Sequence, residues 1–224
     1  MTNVKKLRTL SQVEEAERAN QGIVFVLDDD PGIRTAYYRL FELEGYLCLP
    51  YESSEAFLLR FEEASGHLSG PRCLLCDVSL PGMSGLELQR EIRDQQAAMP
   101  IIFISGASSE VEVVEAYKEG GHAFLLKPVD IDELLDTVSV ALALSKSRQC
   151  EQRELETLKA IVTQLTDREK AVIRLVLNGL TNPQISERLH IALRTVKVHR
   201  QHAMEKLGVS NLVELTRLDE RGGI

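Results

Sequence analysis

The chain of 224 residues contains no run of about 18 consecutive apolar residues, the least that a membrane-spanning helix needs. Its first twenty residues, MTNVKKLRTLSQVEEAERAN, are too rich in charged side chains for a signal peptide. We therefore expect a cytoplasmic protein. With 44% apolar and 27% charged residues, the composition is that of an ordinary globular chain, long enough for two modest domains.

Cysteine is scarce and scattered, with four residues: Cys48, Cys73, Cys76 and Cys150. In a chain without an export signal this argues against a disulfide framework, and we interpret the cysteines as free thiols. Cys73 and Cys76 have the spacing of a metal-binding pair. They lie on a predicted strand, however, where residues three apart point to opposite faces. We interpret this pair as small buried apolar residues.

Charge is distributed unevenly along the chain. Residues 1–165 contain 16 Lys and Arg against 27 Asp and Glu, whereas residues 166–224 contain 10 against 7. The front part is therefore acidic and the tail mildly basic, so we expect different partners for the two parts. Only the tail suits a polyanion.

Short apolar runs alternate with segments of helical period between Gly22 and Leu144. Continuous apolar runs of this length are typical of strands buried on both faces, and alternation with helices predicts a parallel sheet with helices on both sides. Ser84 can cap one of these helices, with Glu87 three residues later. The predicted strands are IVFVL (23–27), YLCLPY (46–51), CLLC (73–76), IIFIS (101–105) and AFLLK (123–127).

The ends of these strands carry polar residues. In parallel sheets functional groups gather at the carboxyl ends of the strands, so we expect one rim with several carboxylates, a hydroxyl and an ammonium. Clustered carboxylates repel one another unless a cation neutralises them, and Mg²⁺ prefers oxygen ligands. One acid could then face an incoming phosphoryl group. The strand-end residues are Asp28-Asp29-Asp30, Asp77, Ser105 and Lys127-Pro128.

Residues 22–144 resemble the receiver domain of bacterial two-component response regulators. The match rests on VFVLDDD, LLCDVSLPGMSG, IIFISGA and FLLKPV, which occur in the family's order. The resemblance implies a flavodoxin-like fold and a cis peptide bond between Lys127 and Pro128. It also implies a phosphoacceptor, Asp77, that attacks the phosphohistidine of a partner kinase.

The same resemblance assigns the remaining roles in this pocket. Asp29, Asp77 and the backbone carbonyl of Ser79 would bind Mg²⁺ directly, while Asp28 would act mainly through water. The phosphoryl oxygens would be held by Ser105 and Lys127, and Phe124 takes the position of the family's switch aromatic.

Each residue taken alone has a simpler interpretation. Asp28 or Asp30 can cap the helix that starts near Pro31, Ser105 can cap its own turn, and Phe124 can be a core residue. The full set in order favours the receiver. Haloacid dehalogenase-like phosphatases also form aspartyl phosphates, but they need a second aspartate two residues after the nucleophile, where this chain has Ser79.

The pattern changes after Leu144. Leu155, Leu158, Val162 and Leu165 recur at helical spacing, so we expect the last receiver helix to continue into, or closely adjoin, a helical linker. The linker could pair with its copy in a dimer, or it could be a solvated spacer.

Three closely spaced helices are predicted in the tail, the third of them longer and basic, in the outline of a helix-turn-helix. The first follows a capping box that starts at Thr166, and the third ends at Gly208. In the third helix, a spacing of about 100° per residue places Val196, Ala203 and Leu207 on one face, with His199 at its margin. The opposite face carries Arg194, Lys197, Val198 and Gln201.

Residues 164–215 resemble the LuxR-type DNA-binding domain through LTDRE, NGLTN, TVKVH and EKLGVSN. The family's base contacts carry over to Lys197, Val198 and Gln201, and Thr195 and Asn182 become candidate phosphate partners. Arg194 lies on the same exposed face. Arg200 lies near the packing face, from which it could reach a phosphate or make an internal ion pair.

Two positions depart from the LuxR pattern. Pro183 replaces a lysine and removes a candidate phosphate contact, although proline suits a first helical turn. Ala192 replaces a serine cap before the third helix, at a cost of about 1 kcal/mol. Both changes favour weak DNA binding in the unphosphorylated state.

The predicted architecture is a doubly wound parallel α/β receiver followed by a small all-α helix-turn-helix domain. We predict an extension (1–20), the receiver (21–144), a helical linker (145–163) and the DNA-binding domain (164–224). The implied protein is a NarL/FixJ-class response regulator that needs Mg²⁺, a histidine kinase, promoter DNA and a second copy of itself. Its only chemistry would be gain and loss of its own phosphoryl group. The rival hypothesis is a constitutive DNA-binding protein whose receiver only dimerises.

Overall fold

The computed structural model describes residues 18, 21–65, 70–92, 99–106 and 120–222. The chain divides into two compact units, Met1–Gln149 and Cys150–Ile224. Among the residues that the structure describes, no helix combines the length and the apolar character that crossing a membrane requires.

The first unit is built on a five-stranded sheet in the order β2-β1-β3-β4-β5. All neighbouring strands are parallel. The strands are β1 (Ile23–Leu27), β2 (Leu47–Tyr51), β3 (Arg72–Asp77), β4 (Ile101–Ser105) and β5 (Ala123–Leu126). The predicted doubly wound parallel α/β fold is confirmed, and the five predicted runs are its strands.

Helices cover both faces of this sheet. They are α1 (Pro31–Leu43), α2 (Ser54–Ser65), α3 (Gly85–Ile92) and the first part of α4 (Ile131–Thr163). Successive residues of a strand point to opposite faces, so Phe25 packs in one apolar cluster with Phe57 and Leu88, while Val24 packs in the other with Phe41.

The four cysteines are free thiols, as predicted. Cys73 belongs to the cluster under α1 and α4, and Cys76 belongs to the cluster under α2 and α3. These two thiols therefore lie on opposite faces of the sheet, and the interpretation of Cys73-x-x-Cys76 as buried apolar residues is confirmed.

The second unit packs four further helices around one apolar core. They are α5 (Asp167–Leu177), α6 (Asn182–Leu189), α7 (Leu193–Leu207) and α8 (Leu212–Gly222). The core includes Val172, Ile185 and Val196, one from each of the three helices of the predicted helix-turn-helix. Thr166 caps α5 through the predicted capping box with Glu169.

Helix α4 is continuous over 33 residues and crosses the division between the two units. The last helix of the first unit thus continues into the segment predicted as a linker. Near its end, Val162 packs against the core of the second unit, together with the buried Leu165 that follows the helix. The boundaries given above for the four segments stay a prediction, and the extension, apart from Arg18, lies outside the described residues.

Candidate functional site

Three carboxylates converge at the carboxyl ends of β1 and β3. Asp28 and Asp29 follow β1 directly, and Asp77 is the last residue of β3. Because these strands are neighbours in the sheet, each of the three side chains offers an oxygen within 4.8 Å of the others. Asp28 and Asp77 are buried, whereas Asp29 is exposed.

Lys127 joins the two buried acids. Its Nζ atom donates to Oδ2 of Asp77 at 2.6 Å and to Oδ2 of Asp28 at 2.9 Å. Burial by itself lowers the pKa of Lys127, but the hydrogen bonds to Asp77 and Asp28 outweigh it and raise that pKa. The ammonium therefore stays charged and holds two carboxylates that would otherwise repel each other.

Backbone donors fix the orientation of both buried carboxylates. The N–H of Ser79 donates to Oδ1 of Asp77 at 2.8 Å, and the N–H of Asp30 donates to Oδ1 of Asp28 at 2.9 Å. The side chain of Asp30 turns away from the pocket and caps α1, where it accepts from the N–H groups of Gly32 and Ile33. The run of three aspartates is thus divided between the pocket and the helix cap.

The turn after β3 depends on a glycine. A Cβ atom at Gly85 would lie 2.6 Å from the carbonyl oxygen of Asp77 and 2.8 Å from Sγ of Cys76. Only glycine permits this approach without moving the backbone that carries Asp77. Ser84 and Glu87 then form the predicted reciprocal cap at the start of α3.

Ser105 ends β4, beside β3, and is 1% exposed. Its hydroxyl has no hydrogen-bond partner among the residues that the structure describes. A buried hydroxyl without a partner is unusual, and an incoming oxygen ligand would supply one.

On the neighbouring β5, Phe124 is half-buried, with its ring centroid 6.3 Å from that of Phe103. The bond between Lys127 and Pro128 is cis, as predicted.

The oxygen donors of this pocket fit a divalent cation. Three carboxylates against one ammonium leave two formal negative charges among Asp28, Asp29, Asp77 and Lys127. Hard oxygen ligands and this charge suit Mg²⁺ better than a transition metal.

Helix α7 separates a packing face from an exposed face. Val196, Ala203 and Leu207 are buried and His199 is half-buried, in agreement with the predicted helical phase. Ala192 precedes α7 without a side-chain cap. The exposed face carries the four residues predicted for it, Arg194, Lys197, Val198 and Gln201, while Thr195 is half-buried.

Arg200 contacts the start of α6. Its Nη1 atom donates to Oδ1 of Asn182 at 3.0 Å. Of the two alternatives for Arg200, an internal contact is thus present, although its partner is an amide and not an acid. Two candidate DNA-binding residues are therefore joined across the helix-turn-helix.

Family models match both units of the chain. The model described as "Response regulator receiver domain" matches residues 24–139, and the model described as "Bacterial regulatory proteins, luxR family" matches residues 163–218. The chain is a response regulator of the NarL/FixJ class. Its receiver and its LuxR-type DNA-binding domain are those expected from the sequence, and such a domain pair is typical of transcription regulation.

Relatives of this response regulator resemble it over nearly their whole length. Nodulation protein W of Bradyrhizobium diazoefficiens is 37% identical over 208 residues, covering 93% of this chain and 89% of the relative. Transcriptional regulatory protein FixJ of the same organism is 30% identical over 204 residues, covering 91% and 97%. The solved structure of response regulator StyR has a TM-score of 0.76 and 35% identity, covering 89% of this chain and 98% of that one.

Two pocket residues of this response regulator were missed by the sequence analysis. Arg34 donates from Nη1 to the backbone carbonyl of Asp28 at 2.8 Å. Tyr37, one turn later in α1, has a raised pKa because it is buried; the charge of Lys127 opposes this effect, and those of Asp28 and Asp77 add to it. Arg34 lies in the first turn of α1, directly after the aspartates, so its position in the chain indicated that it is near the rim but not which atom it contacts.

A third missed contact joins α7 to α5. Nζ of Lys206 donates to Oε2 of Glu169 at 2.7 Å, and the Glu169 side chain is 5% exposed. The same oxygen accepts from the backbone N–H of Thr166 at 2.8 Å. The hydrogen bond from Lys206 is the largest cause that lowers the pKa of Glu169 to about 2. Burial acts in the opposite direction, and the hydrogen bonds with Thr166 lower the pKa further. The capping-box signal identified Glu169 but not its partner on α7.

Proposed function

We propose that this response regulator is a phosphorylation-controlled transcription factor that accepts a phosphoryl group on Asp77 from a sensor histidine kinase. The observation that carries the proposal is the bridge from Lys127 to Asp77 and Asp28, with the carboxylate of Asp29 beside it. A receiver used only as a dimer surface would not need an ammonium between two buried acids, because burying such charges is costly.

In the proposed step, an oxygen of Asp77 attacks the phosphorus of a phosphohistidine. The new P–O bond forms while the P–N bond breaks, and its electron pair leaves with the imidazole. Each carboxylate oxygen has two lone pairs, so the bonds from Lys127 and Ser79 do not prevent the attack. Lys127 and the hydroxyl of Ser105 would then bind the phosphoryl oxygens.

We propose Mg²⁺ as the cofactor of this pocket, with Asp29, Asp77 and the carbonyl of Ser79 as direct ligands and Asp28 acting mainly through water. When bound, the ion neutralises the negative charge that the carboxylates and the phosphoryl group bring together. The chemistry stays limited to gain and loss of this one phosphoryl group.

The proposed switch runs from the pocket to the dimer surface. An oxygen of the phosphoryl group draws Ser105 inward, which opens space for Phe124 to rotate. In this family, the surface formed by the helix between β4 and β5, by β5 and by the helix after it is where active receivers dimerise. Val113, Val114 and Lys118, which the sequence places on this surface, lie outside the described residues.

Promoter DNA would be bound through α7 by a dimer in the cytoplasm. We assign base contacts to Lys197, Val198 and Gln201, with Asn182, Arg194, Thr195 and Arg200 as the remaining candidate DNA contacts. The tail has 10 basic against 7 acidic residues, so one copy can neutralise few phosphates and should bind weakly at physiological salt. Joining two copies makes the second half-site contact intramolecular and raises affinity.

Sedimentation and band-shift titrations, with and without a small phosphodonor and Mg²⁺, test this proposal. We expect phosphorylation to shift the protein from monomer to dimer and to tighten binding to an inverted repeat far more than to a single half-site. Asp77→Asn is the matched control, and adding the phosphodonor and Mg²⁺ should change neither its dimerisation nor its DNA binding. If the unphosphorylated protein is fully dimeric and binds the repeat equally well, the rival constitutive regulator is the correct function.

A further inference from the structure

Glu205 lies on the DNA-facing side of α7. At about 100° per residue it lies within about 40° of Arg194, Val198 and Gln201 around the helix axis. Its side chain is exposed, and it is the only acidic residue in LRTVKVHRQHAMEKL, the sequence of α7. A negative charge on the face that approaches phosphates opposes binding to any DNA sequence. Neither the family resemblance nor the helical wheel assigned this residue a role.

Glu205 also contacts the residue proposed to read bases. Nε2 of Gln201 donates to Oε1 of Glu205 at 2.8 Å. The two side chains line the same groove of about 340 Å³, together with Lys197, Arg200 and Asn182. Helical geometry places residues four apart as neighbours on one face, so the contact needs no distortion of α7.

The chemistry of the pair fixes the orientation of the Gln201 amide. An ionised carboxylate only accepts hydrogen bonds, so the atom of Gln201 that faces Glu205 must be the NH₂ group. Within the described part of the chain, the other N–H and the carbonyl oxygen of Gln201 have no hydrogen-bond partner. The major-groove edge of adenine offers one acceptor and one donor, which is the complement of those two groups.

We propose that Glu205 is a specificity-determining positioning residue that presents the Gln201 amide to adenine, while its charge weakens binding to DNA of every sequence. This inference rests on the proposed DNA-binding function. Glu205 makes the protein discriminate by aligning the favourable contact, because specificity is a difference between affinities. Its charge lowers the affinity for all sequences alike and leaves that difference unchanged.

Two substitutions separate the two effects. Glu205→Gln removes the charge but keeps an acceptor for Gln201, whereas Glu205→Ala removes both. Both residues suit an exposed helix position, and a single exposed side-chain pair contributes little to helix stability, so both variants should fold. Glu220→Gln, at an exposed position on α8, removes the same charge away from α7.

The experiment uses the full chain with duplexes that carry a single half-site, first selected on the wild type and then varied base by base. A bidentate contact gives a preference of roughly 5- to 100-fold for adenine at one position. We expect Glu205→Ala to reduce this preference severalfold, while Glu205→Gln retains it. Both should tighten binding to all duplexes by about two- to tenfold relative to Glu220→Gln.

A second background isolates the role of Gln201. In Gln201→Ala, the further change Glu205→Ala should leave base preferences unaltered, because the amide that Glu205 orients is absent. The inference is overturned if Glu205→Ala keeps the wild-type preference, or if it changes preferences equally in both backgrounds. A wild type that prefers no sequence at all would overturn the proposed function and this inference with it.

Discussion

Nζ of Lys127 lies 2.6 Å from Oδ2 of Asp77, although the two residues are 50 positions apart in the chain. The same ammonium binds Asp28, so the rim of the sheet is tied together by one cation. The positive charge that stabilises the pocket is thus already in contact with the carboxylate to which the proposed phosphoryl group would be attached.

Asp77→Asn should abolish phosphorylation, because an amide cannot act as the nucleophile although its size is preserved. The measurement is incubation with a small phosphodonor and Mg²⁺, followed by a search for an acid-stable, hydroxylamine-labile adduct. Asp130→Asn is a suitable control, since Asp130 is an exposed cap of α4 and asparagine also caps helices. Undiminished phosphorylation of Asp77→Asn would place the acceptor on another residue.

Lys127→Ala should lower the free energy of unfolding by about 2 kcal/mol, because it leaves two buried carboxylates without their cation. We expect this variant to bind Mg²⁺ through the remaining acids, and Mg²⁺ to raise its Tm more than that of the wild type. Phosphorylation should no longer promote dimerisation. An Mg²⁺ affinity as low as that of Asp29→Ala would contradict this division of roles.

The rim of the sheet was predictable because it follows from strand order and strand ends. Apolar runs of four or five residues located β1, β3 and β4, and a parallel sheet brings their last residues together. The contact between Arg34 and the carbonyl of Asp28 was not predictable in the same way, because it depends on which direction one long side chain takes across the start of α1. Sequence periodicity contains no such information.

Substitutions of Gln201 and Arg200 should affect different aspects of DNA recognition. Replacing Gln201 should relax base preference at a few positions, whereas replacing Arg200 should weaken binding to all sequences alike. The hydrogen bond to Asn182 adds a reason for the second effect. Replacing Arg200 removes a cation and also removes the contact that holds the start of α6. Binding-site selection on Gln201→Ala and Arg200→Ala measures both. The reverse pattern would show that the assigned helical phase of α7 is wrong.

Glu169 should make the DNA-binding domain sensitive to acid. Its pKa is about 2 in the folded state against an ordinary value of 4.5, so its stabilising contribution is complete above pH 4.5 and is lost as the pH falls towards 2. Glu169→Gln should therefore be less stable at neutral pH and lose less stability over that acid range. Calorimetric scans of the full chain from neutral pH down to about pH 2 measure both effects.

The controls for this pH prediction come from the same contact. Lys206→Met should raise the pKa of Glu169 towards its ordinary value, because the largest cause of the lowered pKa is removed. This variant should therefore be less stable than the wild type at neutral pH and lose less stability between about pH 4.5 and pH 2. Exchanging the exposed Glu220 for Gln should leave the pH dependence unchanged. Parallel curves for the wild type and Glu169→Gln would show that the ion pair does not govern acid stability.

The helix-turn-helix illustrates what a helical wheel can and cannot provide. The wheel identified the buried face of α7 because burial recurs with the helical period, and Val196, Ala203 and Leu207 are indeed buried. It could not identify Lys206 as the partner of Glu169, 37 residues earlier, because that pairing depends on how α7 packs against α5.

The three consecutive aspartates at the end of β1 differ in the mutations they should tolerate. Asp30 needs only a short side chain that accepts a hydrogen bond at the start of α1, so Asn or Ser should serve there. Asp28 is bound on one oxygen by Lys127 and on the other by the N–H of Asp30, so its charge and its shape are both constrained. Asp28 and Asp30 are thus the same residue type under different constraints, so substitutions should be tolerated at position 30 and not at position 28.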